Sequence, residues 1–246
     1  MKLLKLAELK QVYPELKIIC AVGPSGVGKT SVAEGVADDI QAIAAYFADN
    51  PVFKLYENAD LIRSLTEGAY PSDIADPQTL QKFHLHIMCK YKKRFFSFLK
   101  HGRKLGQEMI SQDLAERLQT PYNCAESKNR TWNPDFAHVP KRSTRKVAVI
   151  EGYDLDDEFF DQSDMICRFS TSKRELAWFD IAKRQNIQQE DMEQFMRVMA
   201  MASDLSDEIL SGTLRGRDVF QYANNRDRRL DYLIKKVVKD YTREVY

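Results

Sequence analysis

The sequence predicts an α/β fold in three layers, a parallel sheet with helices on both faces, and three observations carry that prediction. Short apolar runs at 17–22 (KIICAV), 147–150 (VAVI) and 165–169 (MICRF) have the length and branching of strands buried on both sides. They alternate with longer stretches whose apolar residues recur every three or four positions, the spacing of helices packed on a sheet. A glycine-rich segment, 23–28, sits between the first run and the first helical stretch. The chain has 246 residues, enough for one large domain, 1–246. Its 37 Lys and Arg against 36 Asp and Glu, with 43% hydrophobic residues, exclude a polybasic arm, an acidic tail and a disordered chain.

In chain order, residues 1–10 read as an amphipathic helix, without the apolar core and cleavage site of a leader. After the strand at 17–22, the pattern predicts a helix over 30–47, stopped by Asp49-Asn50-Pro51, then a strand at 52–56 and a short helix at 58–65. Asp76 and Pro77 are a good N-cap and first helical residue for an insertion over 77–118. There Leu80, Phe83, Ile87, Tyr91, Phe95 and Phe98 make one amphipathic helix up to Gly102, and 107–118 a second. Residues 120–146 are irregular. Strands at 147–150 and 165–169 follow, then helices at 173–184, 189–210 and 226–241, so 185–246 is expected to form a helical C-terminal part or lid. Cys20, Cys89, Cys124 and Cys167 have no paired spacing and read as reduced thiols. No run nears the roughly 20 apolar residues of a membrane span, so the expectation is a soluble, cytoplasmic protein.

Gly23-Pro24-Ser25-Gly26-Val27-Gly28-Lys29-Thr30 fits G-x-x-x-x-G-K-[ST], and it lies between a strand and a helix start, where that motif must lie. Phosphate oxygens need several donors converging on one point. Glycines let the backbone N–H groups turn inward, and the helix N-terminus, including Ser31, adds partial positive charge. Lys29 would reach the β- and γ-phosphates of ATP and Thr30 would hold Mg²⁺. The loop makes the fold class a P-loop NTPase. Asn224-Asn225-Arg226-Asp227 lacks the lysine of a guanine reader, which disfavours a GTPase. Glu151 ends the strand at 147–150, where a carboxylate can reach the Mg²⁺ shell.

The order of these parts over roughly 17–184 resembles the uridine kinase, phosphoribulokinase and pantothenate kinase group. That resemblance implies a nucleoside-kinase-like fold and transfer of the γ-phosphoryl group of ATP to a hydroxyl. It implies a base just after the second strand, for which Asp60 is favoured and Glu57 competes. Thr120-Pro121-Tyr122-Asn123 with Arg130 looks like the group's acceptor element, with Asn123 in place of an Asp and Arg130 one position late. It also implies lid arginines after the strand at 165–169, where Arg174, Lys183 and Arg184 stand, Arg184 being the candidate transition-state clamp.

Between Pro77 and Gln107 there are eight Lys and Arg and no acid. Lys128, Arg130, Lys141, Arg142, Arg145 and Lys146 are interleaved with Tyr122 and Trp132, a pairing that suits a nucleic-acid strand or a flipped base. Arg215, Arg217, Arg226, Arg228 and Arg229 form a third basic group, and the acidic run 154–164 can balance them. Each cluster is equally readable as a solvated face. Two acceptors stay open: a free nucleoside, and 5-hydroxymethyluracil within DNA, as modified by a group of bacteriophage P-loop kinases. An ATPase or switch acting on a nucleic-acid or protein partner is the alternative from another class, and self-association is open.

Overall fold

The computed structural model describes residues 5–24, 26–48, 92–119, 136–152, 155–184, 187–225 and 230–245. Along the chain these form α1 (Leu6–Val12), β1 (Lys17–Val22), α2 (Lys29–Ile40), β2 (Ala44–Phe47) and α3 (Lys92–Gln119). There follow β3 (Ala137–His138), β4 (Val147–Gly152), α4 (Asp157–Asp161), β5 (Met165–Ser170), α5 (Arg174–Arg184), α6 (Met192–Thr213), β6 (Phe220–Ala223) and α7 (Leu230–Glu244). The strands make one sheet in the order β3-β2-β4-β1-β5-β6. All neighbours run parallel except β3, which pairs antiparallel with β2 at the edge.

Period-two alternation along β1 divides the core. Ile18, Cys20 and Val22 face one side with α1, Tyr46, Ile110, Leu114 and Phe160, while Ile19 and Ala21 face the other with α2 and α7. The close approach of α2 to α7 depends on Gly35, where a Cβ would stand 2.3 Å from Ile234 Cδ1. Trp178, Ala182, Ile187 and Phe195 form a smaller cluster between α5 and α6.

The strands expected at 17–22, 147–150 and 165–169 and the helices at 173–184 and 189–210 stand within a few residues of those bounds. Four elements differ. The helix expected over 30–47 ends at Ile40, and 44–47 is β2. Gln41 takes a left-handed φ of 54°, and Ala42 N–H closes back on the Ala37 carbonyl at 2.9 Å. The Gln41 carbonyl also accepts the Thr144 and Arg145 N–H groups, each at 3.1 Å, a tertiary anchor that no local pattern announces. Second, α3 runs unbroken through Gly102 and Gly106, since an isolated glycine costs a helix only about 1 kcal/mol. Third, the expected helical part at 185–246 also supplies β6, with Cys167 opposite Phe220 and Ser170 opposite Ala223. Tyr222 stacks on Phe169 with ring centroids 5.3 Å apart, and its hydroxyl donates to Asp240 Oδ2. Fourth, the acidic run contains α4, which buries Phe159 and Phe160. The strand expected at 52–56, the helix at 58–65 and the insertion before residue 92 lie outside the described residues. Among the described residues no helix is long and apolar enough to cross a membrane.

Candidate phosphate-binding site

From β1 the chain crosses through α2 to β2, on one side of the sheet, whereas from β4 it crosses to β5, on the other side of β1. That reversal opens a crevice at the carboxyl ends of the strands, the place where α/β sheets bind ligands. Gly23–Thr30 fills it. At Gly23, φ is 141° and a Cβ would stand 2.2 Å from the Phe169 carbonyl oxygen, so only glycine lets the loop leave β1 against β5. Gly26 rests on Ala177 and Ile181 of α5. Gly28, at φ 84°, starts α2 with no side-chain cap, and the first turn carries no acidic residue. The first N–H groups of α2 therefore lack intrahelical partners at the positive end of its dipole. Thr30 and Ser31 in that turn are exposed.

Lys29 is the first residue of α2, yet its side chain is only 5% exposed. Its Nζ lies 3.3 Å from Glu151 Oε1 and donates to the Pro24 carbonyl at 3.1 Å. Glu151 is itself buried, and the sheet fixes its place. It stands opposite Ala21 of β1 and Phe47 of β2, and its carbonyl accepts the Ala48 N–H at 2.8 Å. A buried charge survives only with a partner, so the two ions hold each other at the mouth of the crevice. A Mg²⁺ ion keeps waters and substrate phosphates and takes few protein oxygens. The Thr30 hydroxyl and the Glu151 carboxylate are hard oxygen donors of that kind, and Lys29 is the carboxylate's partner in this structure.

Arg184, the last residue of α5, is exposed, and its Nε donates to the Asp180 carbonyl at 3.4 Å. Arg174, at the start of α5, is engaged by α6: its Nη2 lies 2.5 Å from Asp207 Oδ2 and its Nη1 3.3 Å from Ser203 Oγ. Arg217 of the third basic group binds Asp157 and Asp161 across the surface and sits 5.7 Å from the Phe160 ring centroid. Lys146 pairs with Glu15. Arg174, Arg217 and Lys146 are thus partners of the protein's own acids, and for Arg217 those acids belong to the run 154–164, the balancing role expected of it. Ser25, Glu57, Asp60, Tyr122, Arg130 and Trp132 lie outside the described residues.

One residue at the loop was read in sequence only as part of a failed guanine reader. Asn224 Nδ2 donates to the Val27 carbonyl at 2.8 Å, tying the phosphate loop to the end of β6. The available signal was a pair of asparagines straight after the run Val219-Phe220-Gln221-Tyr222-Ala223, rich in β-favouring residues.

This is a P-loop NTPase-like fold. No protein-family model and no curated protein matches the chain in sequence. Among solved structures it is similar to TT1252 from Thermus thermophilus, with a TM-score of 0.52 and 14% identity, covering 94% of this chain and 99% of that one. It is less similar to a shikimate kinase from Acinetobacter baumannii in complex with shikimate, with a TM-score of 0.43 and 13% identity over 96% of this chain and 99% of that one. At such identities the likeness is of fold alone, and the second is looser than a shared fold requires.

Proposed function

We propose that the chain is an ATP-dependent kinase that transfers the γ-phosphoryl group to a hydroxyl of a nucleoside-type acceptor, either a free nucleoside or 5-hydroxymethyluracil in DNA. The observation that carries this reading is the buried Lys29–Glu151 pair beneath a glycine loop that opens on an uncapped helix N-terminus. In the proposal, the inward N–H groups of the loop and the start of α2 hold the phosphates. Lys29 would reach the β- and γ-phosphates, and Thr30 with Glu151 would hold Mg²⁺, which would neutralise charge on the phosphates. One carboxylate accepts the proton of the acceptor hydroxyl. Asp60 and Glu57 were the expected bases. With β2 at Ala44–Phe47, the position just after the second strand falls on Asp49, which joins them. Tyr122, Arg130 and Trp132 are proposed to contact the acceptor, and Arg184 to clamp the transferring group.

The test is transfer from γ-labelled ATP with Mg²⁺, in one tube, to mixed free nucleosides and DNA containing 5-hydroxymethyluracil, followed by separation of polymer from small molecules. Label on either acceptor supports the kinase and names its substrate. Label released only as inorganic phosphate overturns it in favour of an ATPase. The DNA arm has a companion measurement: DNA binding should weaken steeply with salt, and its absence at low salt removes DNA as the acceptor.

A further inference from the structure

Residues 224 and 225 continue from the carboxyl end of β6, and each makes a contact that sheet pairing alone does not need. The Asn224 N–H extends the ladder by donating to the Ser170 carbonyl at 2.8 Å. Its side chain turns to the phosphate loop and donates to the Val27 carbonyl, also at 2.8 Å. Asn225 Oδ1 accepts both the N–H and the hydroxyl of Ser172, at 3.0 and 3.1 Å, which fixes the turn between β5 and α5. Val27 is buried, and a Cβ on Gly28 would stand 3.0 Å from Asn224 Nδ2.

The Val27 carbonyl and the Gly28 N–H belong to one peptide unit. In a trans peptide they point in opposite directions. Pinning the carbonyl outward on Asn224 therefore turns the Gly28 N–H toward the inside of the loop. The unit needs such a pin, because Gly26 and Gly28 on either side of Val27 have φ of 79° and 84°, and glycine offers little steric resistance to a peptide flip. After a flip, a carbonyl oxygen would face the phosphate oxygens in place of a donor.

We infer that Asn224 is a positioning residue of the phosphate site, locking the Val27–Gly28 peptide with its N–H turned inward and so setting affinity for the ligand's phosphates. The inference rests on the nucleotide-binding reading above. Because the lock acts on the phosphates and not on the base, its loss weakens ATP and inorganic tripolyphosphate by the same factor.

The experiment is calorimetric titration of the full chain with Mg²⁺-ATP and with Mg²⁺-tripolyphosphate at about pH 8, beside urea melts of the ligand-free proteins, for the wild type, Asn224→Ala, Asn224→Asp and Lys29→Ala. Loss of one hydrogen bond predicts about tenfold weaker binding of both ligands to Asn224→Ala. Asn224→Asp keeps the size but, ionised, can only accept. It should bind at least as poorly as Asn224→Ala, since a carboxyl with an ordinary pKa of about 3.9 is ionised at this pH. A purely structural role for Asn224 would lower the urea midpoint of the ligand-free variants without weakening ATP and tripolyphosphate by one common factor. If Asn224→Ala does not fold, Asn224→Asp carries the test alone. Binding within twofold of the wild type by either variant overturns the lock, as does a deficit for ATP that tripolyphosphate does not share. Weakened Lys29→Ala alongside unaffected Asn224 variants would sink the lock and leave the nucleotide reading standing; a wild type that binds no ATP would sink both.

Discussion

The two ends of the sheet handle charge in opposite ways. At the amino end, Asp164 gathers Lys10 at 2.8 Å, Lys17 at 3.1 Å and the Ile18 N–H at 2.9 Å, with every side chain partly in water. Lys146 and Glu15 pair nearby on the surface. These contacts finish strand ends and cost little, since water still solvates the ions. At the carboxyl end, Lys29 and Glu151 pair out of water, next to a helix N-terminus that has no acidic residue in its first turn. A buried pair is a poor way to gain stability, because desolvation offsets the attraction. The difference sets an amino end whose charges finish the fold apart from a carboxyl end where the proposed phosphate site lies.

The comparison can be broken most directly at the buried pair. Lys29→Ala should abolish nucleotide turnover and lower stability by about 3–5 kcal/mol, because Glu151 stays buried while losing the ammonium 3.3 Å from its Oε1. The double change Lys29→Met with Glu151→Leu should recover most of that stability and none of the turnover, as urea melts beside an ATP assay would read; recovered turnover would show that the pair is structural. Gly23→Ala should cost a few kcal/mol, since its Cβ meets the β5 backbone and not a movable side chain. At the other end, Asp164→Ala removes charge-assisted bonds that are partly solvated, so a loss of about 1–2 kcal/mol is expected with nucleotide affinity unchanged. Changed affinity would mean that the two ends are coupled.

Alkaline pH acts on the core between them. Burial pushes the Cys20 thiol up to about 12, against an ordinary value of 9.0, and burial likewise raises Cys167, Tyr222 and Tyr46. These groups keep their protons in the folded state while the unfolded chain loses them. Their contribution is complete below about pH 9 and declines as pH rises toward 12, so urea midpoints should fall through that window and stay level, as far as these groups are concerned, just below it. The smallest effect is expected of Lys146→Ala, whose exposed pair with Glu15 should leave the melting curve within error.

How much of this was legible depends on how local its cause is. The phosphate loop could be read because its requirements are local: glycines at fixed spacing, a lysine, a hydroxyl, a strand before and a helix after. The strand at 147–150, with Glu151 at its end, was visible as an apolar run with one carboxylate, and β4 extends it to Gly152. β2 was missed because Ala42-Ile43-Ala44-Ala45-Tyr46-Phe47 is buried on both faces, so it lacks the alternation that marks a strand, and alanine favours helix. β6 was missed because four residues are too few for a period, and its strand identity comes from pairing with β5. Both misses bear on functional readings: with β2 ending at Phe47, Asp49 joins Asp60 and Glu57 as a proposed base, and the missed β6 hid Asn224.

By itself, then, the sequence determined the phosphate loop, the parallel α/β class and the strands that carry Glu151 and Cys167, since each is encoded within a dozen neighbouring residues. Only the tertiary structure decided where α2 stops, that Lys29 and Glu151 bury each other, that Arg174 and Arg217 serve the protein's own acids, and that Asn224 holds a loop 197 residues away. The physical reason is that burial and pairing are properties of neighbours in space, and a linear pattern records only the neighbours along the chain.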